Sequence, residues 1–304
     1  MDKINEEKEK IKDLPAKYKG IICIIIAALG FAFMALFVKL AGDLPAIEKA
    51  FFRNFVALFV ALFIMKKNKI RFTTGEGGLK FLIFRATFGT IGMFCNFYAI
   101  SKINISDASM LNKLSPFFAI LFSIFLLKEK PKVYQVLCVV AAFIGAVFIL
   151  KPGIDSVTTY PALIGFISGA CAGLAYTFLR LCTFKKVPGP VIVFFFSTFS
   201  CLACVPYMIF NFVPIDGIQL VYLLLAGVSA SVGQIFITKA YTYSPAAEIS
   251  VYDYSNILFA ALLGMIVLGE FPDAFSIIGY AVIIGAGVVM FLINRRRMRS
   301  EAEG

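Results

Sequence analysis

The sequence predicts an all-α integral membrane protein in which ten transmembrane helices form two inverted five-helix repeats. Three observations support this fold class. The 304 residues are 60% hydrophobic, their mean hydropathy is +0.89 and only 15% are charged, which is too apolar for a soluble domain of this size. The apolar residues fall into ten long runs. The chain also aligns with itself at an offset of 141 residues.

The ten predicted spans follow one another with short connections. Each apolar run supplies about 20 residues, the number that a helix needs to cross a hydrocarbon core of about 30 Å. The first five spans are expected in a repeat at 19–150, and the second five in a repeat at 161–293. The spans are predicted at 19–40, 46–65, 79–100, 105–127, 132–150, 161–183, 189–212, 218–242, 246–268 and 274–293.

Both ends of the chain are predicted to lie outside the bilayer. Residues 1–18 are charged and mixed in sign. The apolar run after them is too long for a signal peptide and lacks its small-residue cleavage site, so we interpret it as a retained first helix. We expect 1–18 to form a cytoplasmic N-terminal tail and 294–304 to form a basic cytoplasmic C-terminal tail.

The positions of the basic residues predict the orientation of the chain. Of the 29 Lys and Arg residues, 20 lie in the two tails and in the connections after the second, fourth and sixth spans. Lys and Arg accumulate in cytoplasmic loops, so both termini are predicted to be cytoplasmic in a bacterial inner membrane. The net charge of +11 is thereby explained by contact with the lipid bilayer, and no nucleic-acid partner is expected.

The composition argues against several kinds of site. The sequence has no His, no Trp and no phosphate-binding P-loop motif, so we expect no cofactor, no metal site and no ATP-driven chemistry. The seven cysteines are scattered through apolar runs. The C-x-x-C pair at Cys201 and Cys204 lies in the middle of a predicted span, where packing is the favoured interpretation over a redox or metal role.

The internal repeat predicts two halves of opposite orientation. Five spans separate the two copies, and because five is odd the second copy must be inverted in the membrane. Inverted halves can exchange conformations and expose a midplane site first to one side and then to the other, which is alternating access. The alignment joins 82–150 with 223–291 and pairs Gly92 with Gly233, Ser109 with Ser250, and Glu129-x-Pro131 with Glu270-x-Pro272.

The two span-end signatures resemble those of the EamA family of the drug/metabolite transporter superfamily. They are Leu126-Leu127-Lys128-Glu129-Lys130-Pro131 and Val267-Leu268-Gly269-Glu270-Phe271-Pro272. The resemblance implies a bacterial inner-membrane carrier of small organic solutes, such as amino acids and related metabolites, with a central cavity lined by both halves. The family usually places a glycine early in the last helix of each half. The second half has this glycine at Gly279, whereas the first half has Cys138 in the equivalent position. This difference bears on how closely the fifth helix packs.

Several ionisable side chains lie near the ends of predicted spans. Long basic side chains at such positions can extend to the lipid headgroups, and this is the favoured interpretation for each of them. Asp43 and Glu48 are similarly interpreted as loop or interface groups. The basic residues in question are Lys39, Lys49, Arg53, Arg85 and Arg180.

The fourth and ninth spans carry polar residues at equivalent depths. Asn112 and Ser115 align with Asp253 and Asn256, and a spacing of three residues places each pair on one helix face. Asp253 lies about 10 Å and Lys113 about 12 Å inside the ends of their helices. We predict that these faces line a central cavity, where Lys113 and Asp253 pair with each other or bind a zwitterionic solute; the alternative is a structural ion pair that locks the halves together.

Further polar residues are candidates for the lining of the same cavity. Asp253 is also the candidate for proton coupling, because a change in its burial would shift its pKa. Pro116 interrupts the backbone ladder of the fourth helix, which either frees a carbonyl for the solute or kinks the helix. Lys239 is alternatively a partner for Glu248. The additional candidates are Tyr252, Tyr254, Gln234, Lys239, Asn96, Tyr98 and Tyr176.

These features lead us to expect a secondary transporter of a small polar organic solute and not an enzyme. Two alternatives are a channel or non-transporting receptor, and a lipid-handling membrane enzyme; the second lacks paired carboxylates or a metal set. A homodimer through glycines of the tenth helix is a further possibility, at Gly279, Gly285 and Gly287.

Overall fold

The computed structural model describes residues 16–128, 131–152, 156–243 and 250–303, and every regular element in these ranges is helical. The N-terminal tail and the start of the predicted ninth span lie largely outside them. A 3₁₀ turn at Ser250–Tyr254 precedes α10, and a π-helical turn at Gly264–Leu268 follows it. The α-helices are α1 Ala16–Leu40, α2 Ala46–Lys67, α3 Leu79–Lys102, α4 Ile105–Asn112, α5 Ser115–Leu126, α6 Val133–Leu150, α7 Ser156–Phe184, α8 Gly189–Asn211, α9 Gly217–Tyr243, α10 Ser255–Leu263 and α11 Ala274–Glu303.

The bundle contains eight to ten membrane spans. Eight stretches within the described ranges are long and apolar enough to cross a bilayer. The remaining two long helices, α2 with 22 residues and α3 with 24, match the second and third predicted spans. They carry charged side chains inside their apolar stretches, notably Lys49, Arg53 and Arg85. The all-helical membrane fold predicted from the sequence is therefore confirmed, with these two helices as its polar members.

The way in which the helices pair follows the two-fold relation between the repeats. The repeat exchanges α1 with α7 and α3 with α9. In the structure α1 packs along α9 and α3 packs along α7, so one pairing is the image of the other. The pairs α2 with α8 and α6 with α11 are their own images, and both are also formed. The bundle is therefore built from two similar halves that interlock.

The last helices of the two halves cross at glycines. A Cβ on Gly279 would lie 2.7 Å from the carbonyl oxygen of Gly145, and a Cβ on Gly145 would lie 3.0 Å from the carbonyl oxygen of Gly279. Gly145 lies seven residues after Cys138, which is two helical turns on the same face. Close packing of the fifth span, which Cys138 left in question, is thus supplied by Gly145, and Cys138 is simply buried.

The fourth predicted span is interrupted, and so is the ninth. One span was predicted at 105–127 with an interruption or kink at Pro116, and in the structure α4 ends at Asn112 and α5 begins at Ser115. The ring of Pro116 would clash with the carbonyl of Asn112 in an unbroken helix, which accounts for this break. In the ninth span the 3₁₀ turn changes to α10 at Tyr254. The offset of 141 carries residue 113 onto residue 254, so the two interruptions are equivalent.

The bundle has two ends that we name by their contacts. The distal end holds the end of α1 and the loops 41–45, 103–104, 212–216 and 269–273; the terminal end holds the start of α1, the loops 68–78 and 185–188, and residues 127–128 and 131–132. Lys49 and Glu48 lie at the distal end and are 0% exposed. The expectation that Lys49 extends to the headgroups is therefore wrong, and so is the interpretation of Glu48, which lies in α2, as a loop or interface group. Lys49 donates to the Gly42 carbonyl at 2.6 Å, and Glu48 accepts from the Val213 N–H at 2.8 Å.

Candidate functional site

Lys113 and Asp253 meet at the centre of the bundle. Lys113 follows the last residue of α4, and Asp253 lies in the 3₁₀ turn that precedes α10. Their Nζ and Oδ2 atoms are 2.5 Å apart, and their side chains are 18% and 21% exposed. The ion pair therefore joins the two halves at the point where both equivalent helices are interrupted.

The surroundings of this ion pair offer unused hydrogen-bonding groups. Asp253 Oδ1 is buried and has no hydrogen-bond partner among the described residues. At the end of α4 the Lys113 N–H donates to the Ser109 carbonyl at 3.0 Å and the Leu114 N–H donates to the Leu111 carbonyl at 3.2 Å, and the 3₁₀ turn at Ser250–Tyr254 leads directly into α10. An ammonium and a carboxylate oxygen at such irregular points of two helices form a polar site of the kind that transporters build from broken helices.

Two asparagines anchor the interrupted helices to the neighbouring half-bundles. Asn112 donates to Ser168 Oγ of α7 at 3.2 Å. Asn256 is 4% exposed and donates to the Ala28 carbonyl of α1 at 2.8 Å. Because α7 and α1 are related by the repeat, the two contacts play equivalent parts. Ser115 is likewise buried, so these predicted site residues border the ion pair and hold its helices in place.

Two of the predicted tyrosines lie on the 3₁₀ turn itself. Tyr254 packs on α11, where a Cβ on Gly287 would lie 2.5 Å from its hydroxyl. Tyr252 is 40% exposed.

The three glycines of the tenth span, which were candidates for a dimer contact, have different surroundings. Gly279 and Gly287 pack against other parts of the same chain, while a Cβ added at Gly285 would meet no described atom within 4 Å.

The remaining predicted site residues lie elsewhere in the bundle. Asn96 Oδ1 is buried without a partner among the described residues, and Tyr98 makes an edge contact with Tyr160 at 6.3 Å. Gln234 is half-buried and is not without an interaction partner. Lys239 is exposed with its ammonium 5.3 Å from the Phe236 ring centroid, and its alternative partner, Glu248, lies outside the described residues.

A cavity of about 220 Å³ lies on the terminal side of the bundle. It is bounded by α5, by the start of α6 and by α7. Tyr176 lies in its wall and is 49% exposed, so this predicted site residue belongs to the cavity. The lining residues are Ala119, Ile120, Ser123, Leu127, Pro131, Gln135, Tyr176, Thr177 and Arg180.

Glu270 links two helices at the distal end. Its Oε2 accepts a hydrogen bond from the Ile105 N–H at 2.9 Å, at the first turn of α4. Its Oε1 lies 2.5 Å from Lys39 Nζ of α1, so Lys39 is paired within the protein and its expected extension to the headgroups is wrong. The sequence signal for this role is the shared E-x-P signature, which by itself indicates only the repeat.

A second ion pair joins α6 to α11 at the same end. Lys151, which follows α6, pairs with Asp273, which precedes α11. Burial favours the protonated form of Asp273, but hydrogen bonds from Lys151 and from the Ser276 backbone outweigh it and lower the pKa of this carboxyl group. The distal end therefore connects α1, α4, α6 and the flanks of the ninth and tenth spans.

Arg53 and Arg85 occupy positions that the sequence did not predict. Both were expected to extend to the headgroups, and this is wrong. Arg85 Cζ lies 4.3 Å from the Phe196 ring centroid, and Arg53 Cζ lies 5.9 Å from it. Nε of both residues is buried. Attraction between the guanidinium groups and the ring turns both side chains toward α8.

Comparison with known proteins places the chain in a family. The model of the EamA-like transporter family matches residues 18–151 and 159–293. A crystal structure of another protein has the same fold, with a TM-score of 0.64 at 17% identity over 91% of this chain and 98% of that one. The chain therefore belongs to the EamA-like transporter family, and its two repeats are those of the family.

The relatives with named activities are transporters. The pseudopaline exporter CntI of Pseudomonas aeruginosa is 34% identical over 89% of this chain and 95% of its own length. Solute carrier family 35 member G1 of Homo sapiens is 26% identical over 93% of this chain and 81% of its own. The S-adenosylmethionine uptake transporter of Rickettsia felis is 24% identical over 87% and 89%. The protein is accordingly a transporter of the drug/metabolite superfamily and not an enzyme.

Proposed function

We propose that this member of the family is a secondary transporter that carries a small polar organic solute by alternating access. The observation that supports the proposal is the Lys113–Asp253 ion pair, because it lies where two equivalent helices are interrupted. In this proposal the solute binds beside the pair and donates a hydrogen bond to Asp253 Oδ1, which has no partner among the described residues. An amino acid or a related metabolite carries groups that match both partners.

The contrast between the two ends supports one state of an alternating cycle. At the distal end Glu270 links α1 and α4, while a cavity lies on the terminal side. Exchange of the conformations of the two halves would open the distal end and close the terminal side. We place the protein in a bacterial cytoplasmic membrane with both termini in the cytoplasm, so that the terminal cavity faces the cytoplasm.

Asp253 is the proposed site of proton coupling. Its partner and its exposure would differ between the two states, and such a difference changes proton affinity. Named relatives include both an exporter and an uptake transporter, so the scaffold serves either direction. If coupling occurs at this carboxyl group, Asp253→Asn abolishes the pH dependence of transport; an unchanged pH profile in that variant would exclude it.

The proposed function is tested by counterflow in proteoliposomes. The purified full chain is reconstituted, preloaded with a panel of unlabelled amino acids and presented with the labelled compounds. We expect saturable counterflow of at least one compound, with a loss of at least tenfold in Lys113→Gln and in Asp253→Asn. The matched control is Asp273→Asn, which removes a carboxylate from an ion pair at the distal end and should retain most of the activity.

Two results would contradict the proposal. Flux that rises in proportion to concentration without counterflow would indicate a channel. Full counterflow in both Lys113→Gln and Asp253→Asn would show that the ion pair is structural and that the solute binds elsewhere.

A further inference from the structure

We propose that Arg53 and Arg85 form a binding site for a carboxylate group of the transported solute. The inference rests on the proposed function, since it names the charge of the solute. The two arginines lie on α2 and α3 and face Phe196 of α8. Neither the family match nor the names of the relatives point to these residues.

The two guanidinium groups are held against one aromatic ring. Their Cζ atoms lie 4.3 Å and 5.9 Å from the Phe196 centroid. The position of Arg85 depends on Gly89, because a Cβ there would lie 2.4 Å from Arg85 Nη1 and 3.0 Å from the Phe196 ring. A helical glycine one turn beyond the arginine thus provides room for its head group.

Neither arginine has an acidic partner. Within the described part of the chain, no carboxylate lies within 4.0 Å of either side chain, and Nε of Arg53 and both Nε and Nη1 of Arg85 are buried without a hydrogen bond. Arg53 donates to neutral Asn54 Oδ1 at 2.6 Å. Asn54 in turn donates to Ser200 Oγ at 2.7 Å, so the surroundings of the two charges are neutral.

Two positive charges without acidic partners, one on each of two membrane helices, lower the stability of the folded protein. Ionisable residues within membrane spans usually pair or mark a substrate pathway, and removing counter-ions from buried charges is costly. The contrast with the central site is direct, because Lys113 is neutralised by Asp253. The arginines therefore carry unbalanced positive charge within the described part of the bundle, and they differ from buried Lys49, whose ammonium donates to the Gly42 carbonyl and to Ser101 Oγ, in that Nε of both and Nη1 of Arg85 have no acceptor.

The scaffold itself has no need of Arg85. The offset of 141 aligns Arg85 with Ala226, which is buried with 1% exposure in α9. Since α3 and α9 occupy equivalent places, a small apolar residue fills this position in the other half. The arginine is thus a feature of one half alone, as expected for a residue that serves a ligand.

The chemistry of the site fits a carboxylate. A guanidinium group is planar, stays charged, and presents a fork of N–H donors that matches two carboxylate oxygens. Both arginines are intermediate in exposure as whole residues, and Nε and Nη1 of Arg85 and Nε of Arg53 are the buried donors that lack an acceptor. A carboxylate would supply both the missing negative charge and the missing acceptors.

The test measures thermal unfolding of the full chain, purified in neutral detergent and stripped of lipid, at constant ionic strength. The probes are succinate and citrate, with neutral succinamide as the matched control. We expect both carboxylates to raise the unfolding midpoint by about 2–4 °C and succinamide to leave it unchanged. Arg53→Gln and Arg85→Gln should lose the shift, whereas Arg71→Gln, at an exposed loop arginine, should keep it.

A second measurement separates binding from a structural role. Without any probe, Arg85→Met should keep or raise the wild-type midpoint, because it removes an uncompensated charge. A midpoint lowered by several degrees together with an intact succinate shift would overturn the proposal, as would the absence of any carboxylate shift in the wild type. Stabilisation by phosphatidylglycerol but not by the carboxylates would assign the site to a lipid headgroup instead. Neither unfolding measurement depends on counterflow. A failure of the carboxylate site and a failure of the proposed function are therefore distinguishable.

Discussion

At the residue scale, the Lys113–Asp253 ion pair contributes to the stability of the bundle. Removing one partner leaves the other charge partly buried in an apolar bundle, and for fully buried pairs this costs about 3–5 kcal/mol. Both side chains remain about one fifth exposed. We therefore predict that Lys113→Gln and Asp253→Asn each lower the free energy of unfolding by about 2 kcal/mol.

The double variant distinguishes a coupled pair from two independent residues. Lys113→Gln with Asp253→Asn places two neutral amides in contact, so its loss of stability should be smaller than the sum of the single losses. The measurement is a double-mutant cycle by denaturation in detergent. Strictly additive losses would show that the two charges do not stabilise each other.

Asp273 predicts a pH dependence of stability at the distal end. Its pKa is lowered in the folded protein by Lys151 and the Ser276 backbone, so its contribution is full above the ordinary carboxyl pKa of about 3.9 and is lost as the pH falls through the folded value. The side chain is 51% exposed, which limits the contribution to less than about 1 kcal/mol. The difference in unfolding midpoint between wild type and Asp273→Asn should therefore shrink from pH 7 to pH 3; a difference that stays constant would exclude this linkage.

Residue types in an apolar context allowed part of the candidate site to be predicted from sequence. Lys113 and Asp253 stand out because each lies too deep in its span to reach water, and the repeat gave them a common depth. Arg53 and Arg85 were misread because each lies within reach of a span end. Only the tertiary fold shows that Phe196 turns both inward. The burial of Lys49 likewise depends on the distal loops that cover it.

At the scale of the element, the crossing of α6 and α11 leaves no room for a side chain at Gly279. A side chain at Gly279 would meet the backbone oxygen of Gly145 at 2.7 Å, and a backbone group cannot move aside. We predict that Gly279→Ala lowers the free energy of unfolding by about 1–3 kcal/mol. Gly285→Ala is the control on the same helix, since no described atom lies within 4 Å there; a loss of stability equal in both variants would refute a role for the crossing.

Helix positions follow from the apolar runs, but their interruptions do so only in part. Most helix bounds lie within a few residues of the predicted spans, because hydrophobic length is fixed by the bilayer. The break before α5 had a local cause in Pro116. The equivalent break at Tyr254 has no proline, since Ile257 stands in the corresponding place. It was therefore visible only through the repeat and the structure.

For the whole molecule, the two-fold pairing of helices makes the ends interdependent. At the distal end Glu270 contacts Lys39 and the Ile105 N–H, and the cavity lies on the terminal side. If the halves exchange conformations, weakening the distal link should favour the state in which the terminal cavity closes. The central ion pair would then be exposed toward the distal end.

This coupling predicts a change at one end caused by a substitution at the other. Ser123→Cys places a thiol in the lining of the terminal cavity, and its rate of reaction with a water-soluble maleimide reports access to that cavity. Adding Glu270→Gln removes the negative charge that pairs with Lys39, so we expect the rate to fall several-fold. The control is Lys132→Cys, at an exposed position in the terminal loop, whose rate should not change. If Ser123→Cys reacts equally fast with and without Glu270→Gln, the two ends open independently and the bundle does not alternate through this link.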